Sequence, residues 1–158
     1  MANFTVNGLD RLKIGIDRLG AVPDSRILAE LVLPAAEHLV TTMAEKAGSM
    51  MNVITGSLMN SVKITGKGTV GGVVFAQVGP DQKRHPGTGR GIRHRTAQGG
   101  GGGHYEGTNA EIAFIHEYGS SRTPGVHWME TAVNEDEDAI YGTMASGWDR
   151  LVDEIFGS

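Results

Sequence analysis

The sequence predicts an α+β domain: a small, mostly antiparallel sheet packed against an N-terminal helical segment and a long C-terminal helix, interrupted by a Gly-rich basic loop. Three observations predict it. Apolar residues recur at steps of three and four towards both ends of the chain, the signature of one-sided helices. Between them, Val62-Lys63-Ile64-Thr65 alternates as a half-buried strand does, and Val70 to Val78 is rich in β-forming residues. The 24 glycines are unevenly placed, which argues for a mixed architecture with long loops.

The elements follow in order. Phe4 and Val6 alternate with polar residues and suit a brief strand. Gly8 to Leu19 carries Leu9, Leu12, Ile16 and Leu19 on one helical stripe. After Pro23, Asp24 is the expected N-cap of a core helix running to about Ala47 through Leu28, Leu31, Ala35, Leu39 and Met43. Pro34 interrupts it, so a kink or break is expected there. Thr55 to Ser61 reads as a polar turn. Gly66-Lys67-Gly68 supplies turn chemistry for a hairpin whose return strand is Val70 to Val78, with Gly71 and Gly72 marking a bulge or a close backbone approach within it. Glu111 to Tyr118 reads as a short helix stopped by Gly119, and Ser120 to Val126 as a loop. The last helix spans Trp128 to Phe156, with Ala132, Val133, Ile140, Met144, Trp148, Leu151 and Ile155 on its apolar face. Its carboxylates, Glu130 and Glu135 to Asp138, suit the helix dipole and a solvated face.

A chain of 158 residues fits a single domain, here 1–158, with 80–108 as an insertion within it. Pro80 to Thr108 includes Gly87, Gly89, Gly91 and the run Gly99 to Gly103, and so much Gly resists ordering unless a partner helps. The formal charge of −4 is mild and speaks against whole-protein attraction to nucleic acid. Cys is absent, so disulfides, thiolate metal sites and cysteine nucleophiles are excluded. No signal peptide is legible at Met1-Ala2-Asn3-Phe4-Thr5, and no apolar run approaches the roughly 20 residues of a membrane span.

Catalytic signatures are thin. Gly87-Thr88-Gly89-Arg90-Gly91 lacks the Lys-Ser/Thr of a P-loop and follows no expected strand. His116-Glu117 begins like a zinc-protease motif, but its fifth position is Ser120. The six histidines share no ligand spacing, and His85, His94 and His104 in the insertion are the best that can be assembled for a metal. We therefore expect no enzyme, cofactor or metal. The insertion does carry Lys83, Arg84, Arg90, Arg93 and Arg95, with no acid intervening among them after Asp81. Those bases suit an acidic protein partner, DNA phosphates or plain hydration.

Phe4-Thr5-Val6-Asn7-Gly8-Leu9-Asp10-Arg11-Leu12 reads as strand, Gly-Leu and helix start. Thr55-Gly56-Ser57-Leu58-Met59-Asn60-Ser61-Val62 makes a Thr-Gly-x-Leu-x-x-Ser turn. Ala113-Phe114-Ile115-His116-Glu117-Tyr118-Gly119-Ser120 contains a Glu-aromatic-Gly element, and Pro124-Gly125-Val126-His127-Trp128 leads into the final helix. In order and spacing these segments together resemble the head–tail joining, or tail-completion, proteins of long-tailed bacteriophages. The chain departs from that pattern at His127-Trp128, where the family usually has Pro-Phe, at Ser120 in place of Thr, and in its longer insertion. The resemblance implies a ring, expected to be hexameric. It would end the tail tube and join it to the head connector, with double-stranded DNA passing through and assembly in the host cytoplasm. Partners would be further copies of itself, the tail-tube protein and the connector protein. The motif residues so implicated are Gly8, Leu9, Thr55, Gly56, Leu58, Ser61, Glu117, Tyr118, Gly119, Pro124 and Trp128. Glu117 has two expected partners, the backbone amides of the loop after it or an Arg such as Arg122. A nucleic-acid-binding module acting through Lys83 to Arg95 is the alternative, and a small hydrolase or metal enzyme a third.

Overall fold

Pro34 shapes the central helix. It has no N–H to donate to the Glu30 carbonyl, so the turn before it cannot close in the ordinary way. In the computed structural model, which describes residues 9–50, 56–83, 92–93, 104–105 and 107–157, the chain neither breaks nor stops there. Leu28–Val32 widens into a π turn that joins α2 (Asp24–Ile27) to α3 (Leu33–Met50). The expected break is thus a bulge within one rod of 27 residues. Asp24 is the first helical residue rather than the cap; Pro23 holds the cap position.

By length and mean hydropathy this rod could cross a membrane, which corrects the expectation that no stretch comes near. Its inner side is committed elsewhere. Leu31, Ala35, Ala36, Met43 and Ala47 are buried against α5 (Trp128–Phe156) and a β-hairpin. Met43, Ala47, Leu58, Val62, Ala113, Trp128 and Ala132 form one core cluster. Further along α5, Gly147 and Leu151 are buried, with Gly147 against the π turn.

The hairpin pairs β1 (Val62–Val70) antiparallel with β2 (Val73–Pro80), from Val62 opposite Pro80 to Val70 opposite Val73. Its glycines exchange the roles expected of them. Gly66 and Gly68 lie inside β1, and the register shifts between Ile64 and Gly66, so the bulge is there. Gly71 and Gly72 make the two-residue turn with φ of +59° and +79°, both in the left-handed region that a tight hairpin loop with twisted strands requires.

α1 (Leu9–Gly20) matches the expected helix to within a residue. Its stripe is not a core face, however: Leu12 and Ile16 are 50% and 56% exposed. The helix rests against the far end of α5, where Gly15 lies beside the Phe156 ring. Arg18 there donates to the Ile155 carbonyl at 3.4 Å. The expected strand at Phe4 and Val6 lies outside the described residues.

Within the insertion, β3 (Ile92–Arg93) pairs antiparallel with β4 (His104–Tyr105). That is order where the sequence shows no pattern. The boundaries of the insertion also tighten, because Pro80 completes β2 and Asp81 is buried. α4 (Asn109–Tyr118) then begins earlier than Glu111, behind a reciprocal cap. The Thr108 hydroxyl accepts from the Glu111 N–H at 3.2 Å while the Glu111 carboxylate accepts from the Thr108 N–H at 2.8 Å. β5 (Gly119–Ser120) and β6 (Thr123–Pro124) form a small ladder before α5.

Candidate functional site

Glu117 stands in the last turn of α4 with 2% of its surface exposed. Burying a carboxylate is costly unless hydrogen bonds replace its water. Two do. The Met129 N–H donates to one oxygen at 2.7 Å and the Glu130 N–H to the other at 3.0 Å. Both amides belong to the first turn of α5, whose N-terminal N–H groups otherwise lack acceptors. Glu117 therefore caps α5 from a distance in sequence, taking the role its own flank leaves vacant, for His127 makes no side-chain cap. Backbone amides are one of the two expected partners, but those found belong to α5 rather than to the loop between the helices, and Arg122 is not involved in these bonds.

The chain must turn tightly to bring this about. Gly119 has φ of +84°, and the ladder it starts returns Pro124 opposite to it. A Cβ on Gly125 would stand 2.3 Å from the Glu117 carbonyl oxygen, so only glycine lets the returning strand pass. The Val126 N–H then bonds the His116 carbonyl at 2.8 Å and the His127 N–H the Glu117 carbonyl at 3.2 Å. His127 itself is left-handed, φ +51° and ψ +41°. Trp128 follows, wholly buried in the core, with no hydrogen-bond partner for its indole N–H among the described residues.

A second polar knot closes the base of the insertion. The Asp81 carboxylate accepts from the Asn109 side-chain amide at 2.7 Å, from Lys63 Nζ at 2.9 Å and from the Lys83 N–H at 3.2 Å. Those bonds, Asn109's first, hold its pKa down from 3.8 to about 2. The Asn109 N–H donates to the Lys83 carbonyl at 2.9 Å and the Ala110 N–H to the Asp81 carbonyl at 3.1 Å, so both ends of the insertion are pinned together. The Ser57 hydroxyl donates to the Asn109 side-chain carbonyl oxygen at 3.2 Å. Ser61 donates to the Leu58 carbonyl at 2.7 Å and its own carbonyl takes the Asp81 N–H at 3.0 Å.

The motif residues thus fall into two structural knots and the core. Gly56 turns with φ of +67°, Leu58 and Trp128 are core, and Ser61 and Glu117 are buried anchors. Tyr118 is exposed, its ring 4.8 Å from that of Phe114. Leu9 is the first residue of α1, and its side chain, like that of Arg93 in β3, is not among those described. Gly8, Thr55, Arg84, Arg90 and Arg95 lie outside the described residues; Lys83 is exposed at the stem.

Sequence reasoning missed two side-chain features here. Glu117, His127 and Glu130 present ligand atoms within 4.8 Å of one another. Both Glu117 oxygens already accept amides at the positive end of a helix, which makes the cluster an anchor rather than a cation seat. Asp136 is not solvated like its neighbours. It is buried, with one oxygen 2.9 Å from His38 Nε2.

Beside the Glu117 knot lies a groove of about 690 Å³, largely apolar, with α3 for its floor, α5 on one side and β2 on the other. Leu39 and Met43, Ala76 and Val78, and Val133, Ile140 and Met144 supply its walls, and Glu117, Tyr118 and Glu130 its polar end. No α5 residue between Asp136 and Gly147 is buried, and half-buried Ile140 and Met144 in that stretch line the groove. Glu117 and Glu130 are the two acids of its lining, and both oxygens of Glu117 are taken by α5 backbone amides. No protein-family model matches the chain, and neither a curated protein nor a solved structure does.

Proposed function

We propose that this chain is a structural subunit of a bacteriophage head–tail junction. Its copies form a closed ring, hexameric by analogy with the family its motifs resemble, at the end of the tail tube. There it docks to the tube on one side and the head connector on the other, with DNA passing through the centre. The observation that carries this reading is the open apolar groove beside the Glu117 knot, together with exposed Val133, Tyr141 and Trp148 on α5. Exposed apolar surface of this kind is stable in water chiefly as one half of an interface. The motif residues support the reading differently: Glu117, Gly119, Gly125 and Trp128 hold the walls of the groove in place, as a scaffold for binding requires.

Repetition makes modest contacts sufficient, because in a ring each copy is held from two sides. Negative-stain microscopy of concentrated purified protein tests the proposal. Annular particles with an open centre are the expected result, and a field of small featureless particles would refute it.

A further inference from the structure

The tip of the β1–β2 hairpin is apolar where hairpin tips are ordinarily polar. Val70 and Val73 are 69% and 65% exposed. They are directly opposed in the register, so their side chains share a face, and Phe75, two residues on, shares it too. The face is the outer one. Ala76 and Val78 alternate with Phe75 along β2 and line the groove from the inner side. The tip therefore projects about 10 Å beyond Ala76, facing away from its own groove. The same molecule carries an unfilled apolar groove and an uncovered apolar tip that cannot meet each other.

Charge matches the two. The hairpin from Val62 to Pro80 has no acid, and of its two lysines Lys63 is engaged by Asp81, which leaves Lys67. On the α5 wall Glu135 pairs with Lys46 and Asp136 is buried beside His38, which leaves Glu130, Glu137 and Asp138 as its acidic rim, with no Lys or Arg on α5 before Arg150. Glu130 lines the groove, and Glu137 follows Val133 by one helical turn, on the same face.

We infer that the groove between α3, β2 and α5 receives the Val70–Val73 hairpin tip of a second copy of this chain. The inference rests on the ring reading and deepens it by naming the contact. Tip and groove are different patches, so the contact is head-to-tail, the type that yields a closed ring when the rotation between copies closes. Lys67 of the incoming hairpin approaches the acidic rim, so association weakens as salt rises.

The chain has no cysteine, so introduced thiols are unambiguous. Val73→Cys and Val133→Cys, the second on the exposed rim of the groove, are combined in one chain and treated with a flexible bis-maleimide while the mass distribution is followed by light scattering. The expected result is a covalent ladder ending at the ring's own size, and, on mixing the two single variants, a tip-to-groove dimer. In parallel, Val70→Asp with Val73→Asp places charges at exposed positions the monomer fold does not use. Circular dichroism and Tm should stay as they were while self-association weakens by about a hundredfold or more. Rings that form without the tip-to-groove cross-link, or that survive the double Asp substitution, overturn the inference and leave the ring reading standing. Monomers at every concentration overturn both.

Discussion

Glu117 is a structural carboxylate, and its worth can be measured one atom at a time. Glu117→Gln keeps the shape but replaces one acceptor oxygen with an NH₂ aimed at a backbone N–H. Losing that bond inside the fold should cost about 1–3 kcal/mol, read as a lower denaturant midpoint with an unchanged slope. Asp81 offers a test in pH. Its folded pKa is depressed from 3.8 to about 2, so its contribution is complete above the unfolded value and fades as pH falls through the folded one. Wild-type protein should therefore lose stability between about pH 4 and pH 2 more steeply than Asp81→Asn does, in thermal melts across that window. Neither role could be derived from residue type alone. Glu117 meets its amides only because Gly119 and Gly125 fold the chain back, and Asp81 meets Asn109 across the whole insertion. What could have been read was Thr108-x-x-Glu111, a capping box in plain sight that moves the start of α4.

At the scale of elements, the rod from Asp24 to Met50 depends on α5 as much as on its own sequence. A Cβ on Gly147 would come within 2.5 Å of the Glu30 carbonyl oxygen, the acceptor that Pro34 leaves without its helical donor. The obstacle is backbone, which cannot rotate away. Gly147→Ala should destabilise by about 1–3 kcal/mol in denaturant titration despite its better helix propensity; an unchanged or higher midpoint would contradict that packing. The helices were legible because their period is written in apolar spacing. The hairpin was legible as a hairpin but not in its register. Gly66-Lys67-Gly68 and Gly71-Gly72 both carry turn chemistry, and only the second pair places Val70 against Val73 with two left-handed residues between them. Asp136 escaped for a related reason: in a run of four acids, composition cannot say which one turns inward.

For the whole molecule, the account is that surfaces do the work. The groove could not be foreseen in the sequence, since its lining is drawn together from α3, β2, α4 and α5, elements far apart along the chain. The most direct test is the mass of the purified 16.7 kDa chain in solution, by light scattering over a wide range of protein concentration. The prediction is one discrete assembly, about 100 kDa for a sixfold ring of that subunit, favoured by concentration and dissociated by salt. A single 16.7 kDa species across the whole range would contradict it.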